Sequence, residues 1–300
     1  MGSIGKRIFL FILLNAAIII TISVLLAVFN VQPYLTKHGI DYGALLTFCI
    51  IWGFGGAFIS LSLSRLMAKW MMGVVVIDPD TTNHHEQQLL SLVKKLVQRS
   101  GLPKMPEVGI YESPEVNAFA TGPTRARALV AVSSGLLREM DWQEIEGVLG
   151  HEISHVANGD MVTMTLLQGV VNAFVMFFAR VFALAVARLG RQRNEGTSPL
   201  LYNVLVFLFQ IVFMILGAIV IAFFSRIREF RADEGGARFA GRETMIRALK
   251  RLQTVHEVND PKAQQTSYQM LKISNKQGLL HLFATHPSLE TRIARLETRQ

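Results

Sequence analysis

His151-Glu152-Ile153-Ser154-His155 is the stretch around which the chain is organised. Histidines four residues apart lie one turn apart on the same helix face, so two imidazoles can reach one metal ion. The glutamate between them sits about a quarter-turn round, where it can contact a water on the metal without ligating the metal itself. Zinc brings such a water to a pKa of roughly 7, and a carboxylate then takes its proton as it attacks a carbonyl. This reading makes His151 and His155 metal ligands and Glu152 a general base. Their helix starts at Asp141, with Glu144 at capping-box spacing, and stops at Asn158-Gly159-Asp160. Ile145, Leu149, Ile153 and Val156 cover one side of it, and the histidines share the other with Val148 and Glu144.

The surroundings are those of a membrane protein. Of 300 residues, 51% are hydrophobic and 17% charged, and the mean hydropathy is +0.35, too apolar for two ordinary soluble domains. Four apolar runs, Ile8 to Val31, Tyr42 to Leu63, Val162 to Val186 and Leu200 to Phe224, are long enough to span a bilayer. The first follows Lys6-Arg7, exceeds the core of a signal peptide and lacks a convincing cleavage site, so it reads as a retained anchor. Arg65 and Lys69 close the second run, which places residue 70 onward in the cytoplasm. The net charge of +8 fits an anionic membrane face. With no zinc finger and no RNA-binding aromatic pattern, nucleic acid is not an expected partner. The single Cys49 excludes an internal disulfide and a Cys-based zinc site. Gly53-Phe54-Gly55-Gly56, inside an apolar run, reads as close helix packing and not as a phosphate loop. Basic residues from Arg188 to Arg193 fall on the outer side by parity, against the usual charge bias, and Arg180 lies inside the third run. The last two runs therefore either span as a hairpin or cross incompletely. Both versions return Ser225 to the side of His151.

The expected organisation is a two-helix anchor over 1–70, a soluble part with the metal helix over 71–161, a second hydrophobic pair over 162–225 and a helical part over 226–300. Val74–Ile77, Glu107–Tyr111 and Ala128–Val132 read as strands and Glu86–Arg99 as a helix. Asn117, Ala118, Phe119 and Ala120 lie between two of these strands, either as a sheet edge that takes an extended peptide as one more strand or as a loop with a buried phenylalanine. A catalytic zinc site needs a third protein ligand. Glu229 and Asp233, again four apart, offer one carboxylate for the metal and one to orient a ligand histidine. His286 is a candidate oxyanion donor, or the third ligand in place of Glu229. The tail after Arg238 reads as helical, with Met270, Leu271, Leu279, Leu280 and Leu282 as core candidates, and ends in a helix carrying Arg292.

In this combination of membrane runs, H-E-x-x-H and E-x-x-x-D, the chain resembles the HtpX-type proteases of bacterial membranes, grouped with the CAAX prenyl proteases among the gluzincins. The resemblance covers most of the chain. It implies a mainly α membrane protein with four hydrophobic helices and a cytoplasmic α+β zinc protease domain containing a small sheet. It also implies one zinc ion held by His151, His155 and Glu229, with Glu152 as base, Asp233 behind a ligand histidine, Asn117–Ala120 as substrate-binding edge strand and His286 beside the site. The implied activity is ATP-independent endoproteolysis of misfolded or damaged membrane proteins at the inner membrane, part of stress response and quality control; no ATPase motif occurs. CAAX-type processing and a non-catalytic zinc scaffold are the competing functions, and the sequence fixes no oligomeric state.

Overall fold

The computed structural model describes residues 16, 19–28, 35–36, 39–189, 198–259 and 282–298. In chain order the elements are α1 (Ile19–Val28), β1 (Leu35–Thr36), β2 (Gly39–Ile40), α2 (Tyr42–Met71), β3 (Val75–Val76), α3 (His84–Ser100), β4 (Glu107–Tyr111), β5 (Ala118–Thr124) and β6 (Arg127–Ser133). They continue as α4 (Ser134–Glu139), α5 (Trp142–Asn158), α6 (Asp160–Leu189), α7 (Pro199–Ala240), α8 (Arg242–Asn259) and α9 (Leu289–Thr298). Two compact units result, Met1–Ser60 with Met164–Ile221, and Leu61–Thr163 with Ala222–Gln300.

The first unit holds residues 42–60 of α2, 164–189 of α6 and 199–221 of α7. These three helices are long and apolar enough to cross a membrane, with mean hydropathies of 2.0, 2.2 and 3.0 in their best windows. Of the first apolar run, α1 is the described part, and the rest of Ile8 to Val31 lies outside the described residues. Four hydrophobic helices is thus an approximate count: three long ones and this shorter segment. The glycine cluster packs helices, as expected. A Cβ on Gly53 would lie 2.7 Å from both the Gly169 carbonyl oxygen and the Ala173 nitrogen of α6. Arg180 is accommodated by its own helix, donating to the Met176 carbonyl at 3.0 Å with its guanidinium 5.3 Å from the centre of the Phe48 ring. Of the basic stretch after Arg188, residues 190–193 are outside the described residues.

The last apolar run and the helical segment expected after Ser225 form one helix, α7, of 42 residues to Ala240, because no proline interrupts the helix formers there. Residues 260–281, with Met270, Leu271, Leu279 and Leu280, lie outside the described residues, and Leu282 is exposed instead of forming core.

The second unit is built on a sheet of order β3-β4-β6-β5, in which β4 and β6 are parallel and the other pairs antiparallel. Val108, Val130 and Val132 of the sheet pack with Leu89, Val93 and Leu96 of α3 and with Ile145, Leu149, Ile153 and Val156 of α5. The expected apolar stripe of α5 is therefore the face that seals the core. Burying four such side chains contributes roughly 1.5–3 kcal/mol each, which fixes the helix rotation and turns both histidines towards α7. On the sheet's other surface Tyr111, Phe119, Leu129 and Ala131 pack with Ala68 and Val74.

Candidate metal centre

α5 is punctuated by its own sequence. The Asp141 side chain accepts from the Gln143 and Glu144 N–H groups, and Glu144 accepts from the Asp141 N–H at 2.9 Å. Glu144 thus serves as a cap, although it shares the histidine side. At the other end Gly159 adopts a left-handed φ of 69° that closes the helix, and Asp160 begins α6 immediately afterwards.

That turn folds Asp160 back under the metal helix. His155 Nδ1 donates to Asp160 Oδ2 at 2.6 Å. One turn earlier, His151 Nδ1 donates to Asp233 Oδ1 at 2.9 Å. A carboxylate only accepts, so each ring carries a proton on Nδ1, and Nε2 becomes a free lone pair once the ring is neutral. The two Nε2 atoms are 3.1 Å apart. Glu229 faces both, with Oε2 3.4 Å from His151 Nε2 and Oε1 3.4 Å from His155 Nε2. Ligand bonds of about 2.0–2.1 Å in a tetrahedron imply donor separations of about 3.3 Å. The three side chains, whose ligand atoms all lie within 4.8 Å of one another, therefore fit a zinc-sized ion.

α7 delivers Glu229 and Asp233 by approaching α5 backbone to backbone. A Cβ on Gly235 would fall 2.0 Å from Ser154 Oγ, and one on Gly236 would fall 3.0 Å from the His151 nitrogen. Only glycine lets the helices come this close. Glu229 and Asp233 are 1% and 2% exposed. Asp233 is gripped by Arg292 of α9, which donates through Nε at 2.8 Å and Nη2 at 2.6 Å. Ile293 and Leu296 hold α9 in place against Met245 and Leu249 of α8.

The electrostatics follow from burial set against pairing. Burial disfavours a charged Glu229, but hydrogen bonds from His151, His155 and His286 prevail and hold its carboxyl far below the usual range. Burial likewise opposes charge on Asp233, and Arg292 and His151 overcome it, so its pKa is lowered. For His155, burial is outweighed by Asp160 and Glu229, and its pKa rises to about 9. His151 is raised for the same reasons, through Asp233 and Glu229 against burial.

The other sequence-derived residues are arranged around this centre. Glu152 is partly exposed, and its charge acts on His155, Arg292 and Tyr111. His286 lies on an exposed loop with Nδ1 2.9 Å from Glu229 Oε2. Arg226 of α7 pins that loop by donating to the Ala284 carbonyl at 2.7 Å and the Leu282 carbonyl at 3.3 Å. Ala118, Phe119 and Ala120 lie in β5, the outer strand, which packs against α5. Asn117 precedes it, its carbonyl accepting from the Ser133 N–H at 2.9 Å. In an antiparallel pair bonding alternates, so Ala118 and Ala120 turn their N–H and C=O groups to the open edge.

Three residues escaped the sequence reading. Asp160 reads there as part of a helix stop, and Arg292 as an ordinary helix residue; an acidic residue five positions beyond His155, past a C-capping glycine, was the available signal for the first. Arg228, which donates to Glu229 Oε1 at 3.0 Å, has no comparable signal.

Known proteins match this arrangement. The model of the family described as Peptidase family M48 matches residues 83–300. A protein named Protease HtpX homolog from Bacillus licheniformis is 53% identical over 302 residues, covering 98% of this chain and all of its own. Protease HtpX of Shewanella oneidensis is 48% identical over 299 residues, covering 98% of this chain and all of its own. Among solved structures, S. mikatae Ste24p superposes with a TM-score of 0.66 at 14% identity, over 97% of this chain and 65% of that one, a likeness of fold. With the family model spanning most of the chain and relatives matching it end to end, the chain belongs to peptidase family M48 and is a membrane-anchored metalloprotease.

Proposed function

We propose that the chain is a zinc endopeptidase that cleaves misfolded or damaged membrane proteins and other unfolded chains, without ATP, at the cytoplasmic face of a bacterial inner membrane. The observation that supports it best is the pairing of three converging donors with two independent carboxylate clamps on the histidines. His151, His155 and Glu229 would hold one zinc ion, which when bound supplies Lewis acidity to water and to the scissile carbonyl.

The rest of the chemistry belongs to the chain. Ala118 and Ala120 bond the substrate backbone through the free edge of β5, in extended form and with little regard to side chains. Asn117 and Phe119 flank those contacts. Glu152 takes the proton of the attacking water and passes it to the leaving amine. His286, placed beside Glu229 by its Nδ1 contact, is the donor toward the oxyanion that develops on the carbonyl whenever its other ring nitrogen also carries a proton. Asp233 keeps His151 in the ligating tautomer. Backbone-led recognition suits a quality-control enzyme, whose substrates share exposed backbone and not a sequence. The positive flanks Arg65 and Lys69 support the cytoplasmic placement.

Zinc content and casein cleavage, measured together on detergent-purified protein, test this reading. Wild type is expected to carry one zinc and cut; Glu152→Gln keeps zinc and loses nearly all cleavage; Glu229→Ala loses both. Normal turnover by a zinc-loaded Glu152→Gln protein would sink the assignment of the base. Tight zinc with no cleavage by wild type would favour the scaffold.

A further inference from the structure

Just beyond the membrane helix α2, the chain leaves an apolar strip uncovered. Leu66, Trp70, Met72, Val75 and Val76 are 38%, 57%, 43%, 72% and 37% exposed. Val75 and Val76 form β3, which is the outer strand of its sheet, opposite in position to β5. A valine edge strand beside an exposed tryptophan is a liability in water.

The nearby cations do not shield it. Arg65 and Lys69 both pair with Glu107 of β4, Lys69 at 2.8 Å. These pairs bolt the last turns of α2 to the sheet, so β3 cannot drift from the end of the helix. Five residues of extended chain from Trp70 to Val75 span at most about 17 Å. Polarity changes abruptly afterwards, at the exposed Asp78-Pro79-Asp80. Tryptophan marks the headgroup zone of membrane proteins, with apolar residues on its inner side and charge on its outer side.

We infer that the strip from Leu66 to Val76 is seated in the headgroup region of the bilayer, so that β3 rests on lipid. Continuity with α2 selects lipid as the occupant. A second copy of the chain would have to pair through a strand of two residues, which offers too short a ladder to hold two chains together.

The full-length protein, with Cys49→Ala and Val75→Cys, is labelled with a nitroxide in bilayers of phosphatidylethanolamine and phosphatidylglycerol. Collision rates with oxygen and with a water-soluble nickel chelate are then compared with those of Gln143→Cys. Gln143 is an exposed residue in the first turn of α5, about 24 Å along that helix from its junction with α6. The label at 75 is expected to favour oxygen and the label at 143 nickel. Equal nickel access at both positions overturns the inference. So does spin–spin broadening at 75 that disappears on dilution with unlabelled protein, since it would mean that a second copy covers the strand. As an independent check, Trp52→Phe with Trp142→Phe leaves Trp70 as the sole tryptophan. Its fluorescence should be quenched by lipids brominated near the headgroup, and unquenched emission at the water-exposed wavelength again overturns the inference.

Discussion

His151 and His155 lie one turn apart on the same helix, yet they are held by different parts of the chain. His155 is clamped by Asp160, five residues further on, through a single turn at Gly159. His151 is clamped by Asp233, 82 residues away, which is itself gripped by Arg292, 59 residues beyond that. The first clamp can form with the helix end itself. The second exists only when α7 and α9 have docked on α5, so this clamp depends on long-range folding. Substitutions in the two clamps should separate local from global control.

The largest effect is expected from Asp233→Ala. It leaves Arg292, itself 8% exposed, as a buried cation without its carboxylate, and breaking such a pair costs about 3–5 kcal/mol. Thermal unfolding of metal-free protein in detergent measures it, and the double variant Asp233→Ala with Arg292→Leu should regain part of the loss. Wild-type unfolding of Asp233→Ala would remove the remote clamp from this picture. Gly235→Ala comes next. Its new Cβ would sit 2.0 Å from Ser154 Oγ, overpacking that costs about 1–3 kcal/mol and pushes Glu229 away from the histidines. Reduced stability together with reduced zinc binding, both partly restored by Ser154→Ala, is the expected pattern.

Asp160→Asn probes the local clamp. The loss of stability should be smaller than that of Asp233→Ala, while zinc affinity measured by chelator competition falls about 10–100-fold. A loss of stability as large as that of Asp233→Ala would mean that the two clamps do not differ in kind.

The same division explains what could be read from the sequence. His151, Glu152 and His155 declare themselves through helical spacing, as do Glu229 and Asp233, because an i, i+4 pair is a property of one helix. The strands Glu107–Tyr111 and Ala128–Val132, the second running one residue further at each end in the structure, and the capping box at Asp141 are equally local and legible. Arg292 was not, since its role arises only where α9 meets α7 and no periodicity within α9 distinguishes it from Arg295, which pairs with Glu234. Asp160 was near enough in sequence to find, but its contact depends on the sharp turn at Gly159, which a helix pattern does not encode.

The most discriminating effect is the pH dependence of metal binding. In metal-free protein Asp160 and Glu229 overcome burial and raise His155 from 6.5 to about 9. Its proton therefore stabilises the metal-free fold fully below pH 6.5, and this contribution is lost as the pH rises to about 9. A ligating imidazole must be neutral, so metal binding expels that proton. Zinc affinity should accordingly climb about tenfold per pH unit from this group alone up to pH 9, with His151 adding in the same direction. Asp160→Asn removes the principal partner that holds the proton, so the bend in its affinity curve should move to lower pH, while overall affinity falls because the ring is less well oriented. Arg292→Met, which loosens Asp233 without touching Asp160, should leave that bend in place. Superimposable curves for Asp160→Asn and wild type would show that the local clamp orients His155 without governing its proton. In that case Glu229, shared by both histidines, would be the group that sets the pH response of the whole site.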